Sequence, residues 1–255
     1  MHYTRHKFVP SNATAKSGEV DFNTGDIIEN FANDGAFYLS DDWDINEKIR
    51  VHVGLRYSLF QHVGPFKRYN NNEFGNPVDT LVYDNFETVK FYQGLEPRLT
   101  ARYTLKNNSS LKASFTQNYQ YIHLASFASV SLPMDVWVPS SDKVKPQFAR
   151  QYAAGYFKNF KDNKIETSVE IYYKTMDNQV EYKDGALPED NAGSNVDNQF
   201  TFGKGWSYGA EFFIKKRFGK INGWVGYTLS WTNKQFEELN EGNVFPAKYD
   251  RRHDA

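Results

Sequence analysis

The sequence has no cysteine, which excludes disulfides, thiol catalysis and thiolate-held metals. It is compatible with an oxidising compartment and does not identify one. Nor is there any run of 18 apolar residues, so no transmembrane helix is possible. A membrane-spanning β-strand needs only about 9–11 residues with alternate positions apolar, so the membrane itself stays open. Charge of one sign is not in excess: 30 basic residues face 31 acidic ones, for a net charge of −1, and no nucleic-acid partner is expected. The opening residues Met1 to Phe8 lack the apolar stretch of an export signal. Either the protein stays in the cytosol or this chain is not the complete product. No nucleophile–base pair, glycine-rich phosphate loop or metal-ligand spacing occurs, so neither an enzyme nor a cofactor is indicated.

What the chain does contain is aromatic residues, 17% of the 255, in a sequence that is hydrophilic on average. Their arrangement is clearest in residues 205–232. Trp206, Tyr208, Ala210, Phe212 and Ile214 alternate with Ser207, Gly209, Glu211, Phe213 and Lys215, the period of a strand whose successive side chains point to opposite faces. After Arg217-Phe218-Gly219-Lys220, Val225, Tyr227, Leu229 and Trp231 resume the apolar face. This predicts a long antiparallel hairpin. Further strands are predicted at 2–9, 36–45, 49–58, 97–105, 110–120, 149–160 and 164–176, making nine, with the start of a tenth near residue 249.

Connections alternate in length. Tight turns lie at Asn46, Asn107, Asp162 and Gly219, while polar stretches at about 10–35, 59–96, 121–148 and 177–204 separate the hairpins. All the short turns must therefore share one edge of the sheet, the layout of an outer-membrane barrel; structureless loops beyond about 15 residues are uncommon in compact soluble domains. The faces agree with this. Across six strand cores (49–57, 99–105, 111–119, 165–173, 206–216 and 223–231), 30 positions fall on one face and only Gln117, Thr167 and Lys216 among them are polar. The opposite face carries Arg50, His52, Arg56, Arg102, Lys112, Glu166, Glu170 and Glu211. The fold class expected is all-β, an antiparallel transmembrane β-barrel of which this chain is a part. The competing fold is a soluble carbohydrate-binding β-sandwich with the oily face as its core.

Several stretches resemble the barrel domain of TonB-dependent outer-membrane receptors of the Bacteroidetes type. They include Tyr38-Leu39-Ser40-Asp41-Asp42-Trp43-Asp44-Ile45-Asn46, Gly54-Leu55-Arg56-Tyr57, Pro97-Arg98-Leu99, Leu132-Pro133-Met134-Asp135-Val136-Trp137, Ser207-Tyr208-Gly209-Ala210-Glu211 and Phe245-Pro246-Ala247-Lys248-Tyr249-Asp250-Arg251-Arg252-His253-Asp254. The resemblance implies a barrel of about 22 strands around an N-terminal plug. It also implies uptake across the Gram-negative outer membrane of a large or scarce nutrient: a metal chelate, a cofactor or a glycan. The partners implied are membrane lipid, the plug, TonB with its inner-membrane energising complex, and a candidate surface lipoprotein. About nine strands are present, without a plug, a TonB box or a terminal aromatic strand, so residues 1–255 read as an internal barrel segment. A passive channel or a surface-binding barrel is the alternative function.

Candidate substrate-binding residues follow from position. Arg50, Arg56, Arg98 and Arg102 lie on or beside the polar face, where they meet an anionic solute or the plug, or pair internally with carboxylates such as Glu166 and Glu170. Tyr119, Tyr121, Phe127 and Trp137 occupy the loop side; aromatic faces there suit a sugar or an aromatic chelate, or pack the loops together. Of the six histidines, His2 and His6 share a face but sit about 13 Å apart at roughly 3.3 Å per residue, too far for one metal ion. Arg251-Arg252-His253-Asp254 reads as rim ion pairs.

Overall fold

Four short turns reverse the chain, and each uses residues that accept a left-handed backbone or cap it locally. Asn107 and Asn108 take φ of 60° and 52°, and Lys161, Asp162 and Asn163 take 50°, 53° and 64°; Gly219 lies at 122°, which L residues rarely adopt. At the first turn the backbone N–H groups of Lys48 and Ile49 both donate to Asn46 Oδ1 at 2.9 Å.

The computed structural model describes residues 1–9, 14–17, 20–23, 29–72, 77–125, 136–186 and 195–255. Its strands are β1 (His2–Phe8), β2 (Thr14–Ser17), β3 (Val20–Asn23), β4 (Asn30–Asp44), β5 (Ile49–Val63), β6 (Phe66–Asn71), β7 (Pro77–Tyr83), β8 (Thr88–Leu105) and β9 (Ser109–Gln120). They continue with β10 (Ile122–Ala125), β11 (Val136–Pro139), β12 (Gln147–Phe160), β13 (Ile165–Tyr182), β14 (Phe200–Lys216), β15 (Gly223–Phe236), β16 (Phe245–Pro246) and β17 (His253–Asp254). One 11-stranded sheet runs β1-β4-β5-β8-β9-β12-β13-β14-β15-β16, with β17 also on β15. Every pairing is antiparallel. The nine long strands are those expected, and β17 is the start of a tenth. The sheet is open, not closed into a ring.

Register ties the strands into rows, and each row keeps one chemical character. Val53, Leu99, Phe115, Tyr152, Tyr173, Tyr208 and Trp231 are successive cross-strand partners, and so are Val51, Ala101, Ala113, Ala154, Ile171, Ala210 and Leu229. These side chains are uncovered: Ile171 is 58% exposed and Tyr152 50%. A sandwich would bury them under a second sheet, so the soluble alternative fails.

Two boundary expectations need correction. The segment 59–96 is not one polar loop: β5 continues to Val63, β6 and β7 form a hairpin of their own, and β8 begins at Thr88. Likewise β4 begins at Asn30 and β13 runs to Tyr182. The reason is an inversion of faces near residue 58. Beyond it the apolar side chains turn to the opposite face, where Ala32, Ala36 and Phe60 are buried, while the outward row becomes Asn33, Gln61 and their neighbours. Eleven residues, 49–59, thus carry the outward oily band, the length of a tilted membrane strand.

Replacing Ile171, on the outward face, by Arg is expected to destabilise the intact receptor in bilayers by about 2–4 kcal/mol. Ser114→Arg, on the polar face, is expected to leave it within about 1 kcal/mol. Denaturant titration of the two variants in lipid vesicles checks the difference.

Candidate functional site

The polar face carries its charge in two sectors. Along one row the cross-strand partners are Arg50, Arg102, Lys112, Gly155, Glu170, Glu211, Thr228 and Asp254. Three cations stand together on β5, β8 and β9, and carboxylates follow on β13, β14 and β17. Like charges directly opposite cost a few tenths to about 1 kcal/mol per pair, so sequence economy would have interleaved them. Arg50 is balanced by Asp42 and Asp44 at 3.8 and 3.7 Å. Arg102 has no ion pair among the described residues, and Lys112 Nζ sits 4.1 Å from the Phe157 ring centroid. Over the acidic sector lies a cavity of about 460 Å³, reached by Phe157, Ser168, Glu170 and Glu211.

Arg56 is committed elsewhere. Its Nη1 donates to both oxygens of Glu96 at 3.0 and 3.1 Å, and Glu96 is 1% exposed. The pair is structural, and removing one partner of such a buried pair costs about 3–5 kcal/mol. Arg98 donates to Asn118 Oδ1 at 3.2 Å. The register therefore brings Arg50 and Arg102 together, sets Arg98 two rows further along the same face opposite Gly54, and places Arg56 one row beyond that, bonded to Glu96.

At the loop end the aromatic candidates divide. Tyr121 is buried; its ring stacks on Phe60 at 5.1 Å, and its hydroxyl shares a 2.7 Å hydrogen bond with Ser58 Oγ. Burial pushes the Tyr121 phenol up to about 12. Tyr119 stacks on Phe148 and Tyr121 and lies where any side chain at Gly94 would have to go, so only glycine permits this approach. Trp137 is apart from both, 53% exposed on β11 opposite Leu124. Phe127 lies outside the described residues.

Sequence reasoning missed Arg68, the largest fully buried side chain among the described residues, which is 1% exposed and bonded to Asp197 and Asp142. Arg68 and Asp197 are 129 positions apart, and no local pattern links them. Also missed were His62 and His123, each 1% exposed. Neither His62 nitrogen has a partner, while His123 Nε2 meets Ser140 Oγ at 2.9 Å. Among the described residues no cluster of His, Asp and Glu could hold a metal ion.

The two imidazoles predict acid sensitivity of the loop end, which lies beyond the membrane band. Burial lowers both from 6.5 to about 4, with the Arg68 charge adding to the effect at His62. Between those values the unfolded loops bind protons that the folded ones refuse. Their contribution is therefore whole above pH 6.5 and is lost as pH falls toward 4, on the order of 3 kcal/mol for each ring. Amide protection factors, that is exchange relative to the intrinsic rate at the same pH, are expected to fall in residues 60–72 and 121–125 at pH 4.5 relative to pH 7. In residues 60–72 of the His62→Leu variant that fall should be smaller.

Comparison with known proteins follows the same geometry. The family model described as "TonB dependent receptor-like, beta-barrel" matches residues 1–250. A search of curated protein sequences finds no match. Among solved structures, the ferric-catecholate import receptor Fiu from E. coli K12 superposes with a TM-score of 0.61 at 14% identity, covering 98% of this chain and 37% of that one. The ferripyoverdine receptor of Pseudomonas aeruginosa gives 0.56 at 14%, over 93% of this chain and 26% of its own. The alcaligin receptor FauA from Bordetella pertussis gives 0.54 at 12%, over 98% and 41%. This chain thus spans less than half the length of these structures, and at such identities the likeness is one of fold. TonB-dependent receptors are transporters and not enzymes, in keeping with the lack of catalytic machinery expected from the sequence. With a family match over nearly all its length and an open antiparallel wall, oily on one face and charged on the other, the chain belongs to the TonB-dependent receptor β-barrel family.

Proposed function

We propose that this chain is part of the barrel wall of a Gram-negative outer-membrane receptor that imports a scarce nutrient with energy delivered through TonB. In this reading residues 1–255 are one section of a larger barrel, whose plug and remaining strands complete it, and the type is the Bacteroidetes one suggested by the stretches quoted above. The observation that carries the proposal is the family match across residues 1–250, on a sheet whose oily rows suit lipid and whose opposite face is polar.

Among metal chelates, cofactors and glycans, an anionic ferric chelate is favoured. Ferric-catecholate and ferripyoverdine are named for two of the structural neighbours, and Arg98, Arg102 and Lys112 give this wall a basic sector on its polar face. An anion passing there would relieve the repulsion between adjacent cations.

Cells producing the intact receptor are expected to accumulate a radiolabelled ferric catecholate, and to stop when tonB is deleted. Uptake that persists without TonB would establish a passive channel instead. Arg102→Glu is expected to lower uptake at limiting chelate about tenfold, a loss of about 1.4 kcal/mol.

A further inference from the structure

Three connections far apart in sequence meet at the Arg68 guanidinium. Nη1 donates to both carboxylate oxygens of Asp197 at 2.6 and 2.8 Å, and Nη2 donates to Asp142. Ser141 Oγ donates to Asp197 at 3.0 Å. The same junction is fastened through the backbone. Asn195 Oδ1 accepts from the Tyr69 N–H at 2.7 Å, and its Nδ2 donates to the Lys67 carbonyl at 2.9 Å. The Tyr92 hydroxyl donates to the Ser141 carbonyl, and the Ser140 N–H to the Tyr121 carbonyl, each at 2.7 Å.

These bonds join the β6–β7 hairpin, the segment between β11 and β12, and the 3-10 turn Val196–Gln199 before β14. The strands they leave are not neighbours. From β5 to β13 the sheet takes four steps, about 19 Å at roughly 4.8 Å per step. The connections therefore cross over the end of the sheet instead of standing above their own strands. At that end of the polar face Ser58 and Phe60 are fully buried against Tyr121, whose carbonyl is in turn held by the Ser140 N–H of the second connection.

We infer that these three connections form a single lid over the outer end of the polar face, and that Arg68 is its latch. Asp197, 5% exposed, has Arg68 as its ion-pair partner among the described residues, so withdrawal of the guanidinium leaves a buried carboxylate uncompensated and removes the one group bonded to both other connections, loosening all three. The lid's role in admitting solute rests on the uptake proposal; the latch does not, and it is tested without solute.

In the complete receptor in its membrane, with any cysteine outside residues 1–255 replaced by serine, Ser58→Cys puts a single thiol under the lid, since these residues contain no cysteine. The rate of its modification by a membrane-impermeant maleimide reads lid opening. Arg68→Ala is expected to raise that rate at least tenfold. Adding Asp197→Ala should raise it no further, because both residues act at one joint. Arg68→Lys, which loses the planar fork, should fall between. A rate unchanged by Arg68→Ala overturns the inference, as do multiplicative effects in the double variant. Heat-modifiable migration on a gel reports that the barrel has formed. If Arg68→Ala does not insert, Asp142→Asn carries the same expectation of faster labelling, and failure of both to insert also overturns the latch, which is not needed to build a barrel. Faster labelling of Arg68→Ala in a receptor that takes up no ferric catecholate would overturn the transport reading and support the latch.

Discussion

Hydrocarbon offers no hydrogen-bond partner, and an unpaired backbone N–H or C=O there costs several kcal/mol. Everything in this chain answers to that constraint. Nine long strands give their backbone groups to one another in one antiparallel ladder, with register shifts at 176–179 and 62–63, outside the oily band, and the side chains are then sorted by the ladder's two faces. Because cross-strand partners share a face, a row such as Val53 to Trp231 is oily from one side of the sheet to the other. Tight turns keep the rows in register: a slip of one residue in any strand would send Arg102 or Glu211 into lipid.

Outside the oily band the rule reverses. Ala32, Phe60 and Tyr121 form a small core on the face that is polar lower down, and Ala125, Val138, Val144, Tyr182 and Phe200 form another among the connections. Water surrounds this end of the molecule, so apolar groups gather inward and Asn33 and Gln61 turn out. One strand, β5, thus obeys two solvents along its length. Glu96 and Arg56 lie at the changeover, their charges matched where neither lipid nor free water is available.

The period of two and the turn residues were legible because they are local: Asn107, Asp162 and Gly219 demand their backbone angles, and Phe212, Ile214, Val225 and Tyr227 show which face meets lipid. The polar face was legible in the same way, down to the placing of Arg50, Arg98 and Arg102. Past residue 58 the same alternation continues with its meaning inverted, and a pattern that changes sign reads as no pattern. Phe60 and His62 looked like loop for that reason. Arg68 was illegible for another: its partners Asp142 and Asp197 lie 74 and 129 positions away, and only the folded chain brings them within reach. Tyr121 was noticed as an aromatic either available to solute or packing the loops, and its ring packs on Phe60 while its hydroxyl bonds Ser58.

The Asn195 amide has one more effect. Its carbonyl and amino groups occupy the Tyr69 N–H and the Lys67 C=O, the same two groups that a foreign extended peptide would use to pair with β6. A side chain here does the work of a strand without offering a further edge of its own. That side of the hairpin therefore resists templated association with another chain.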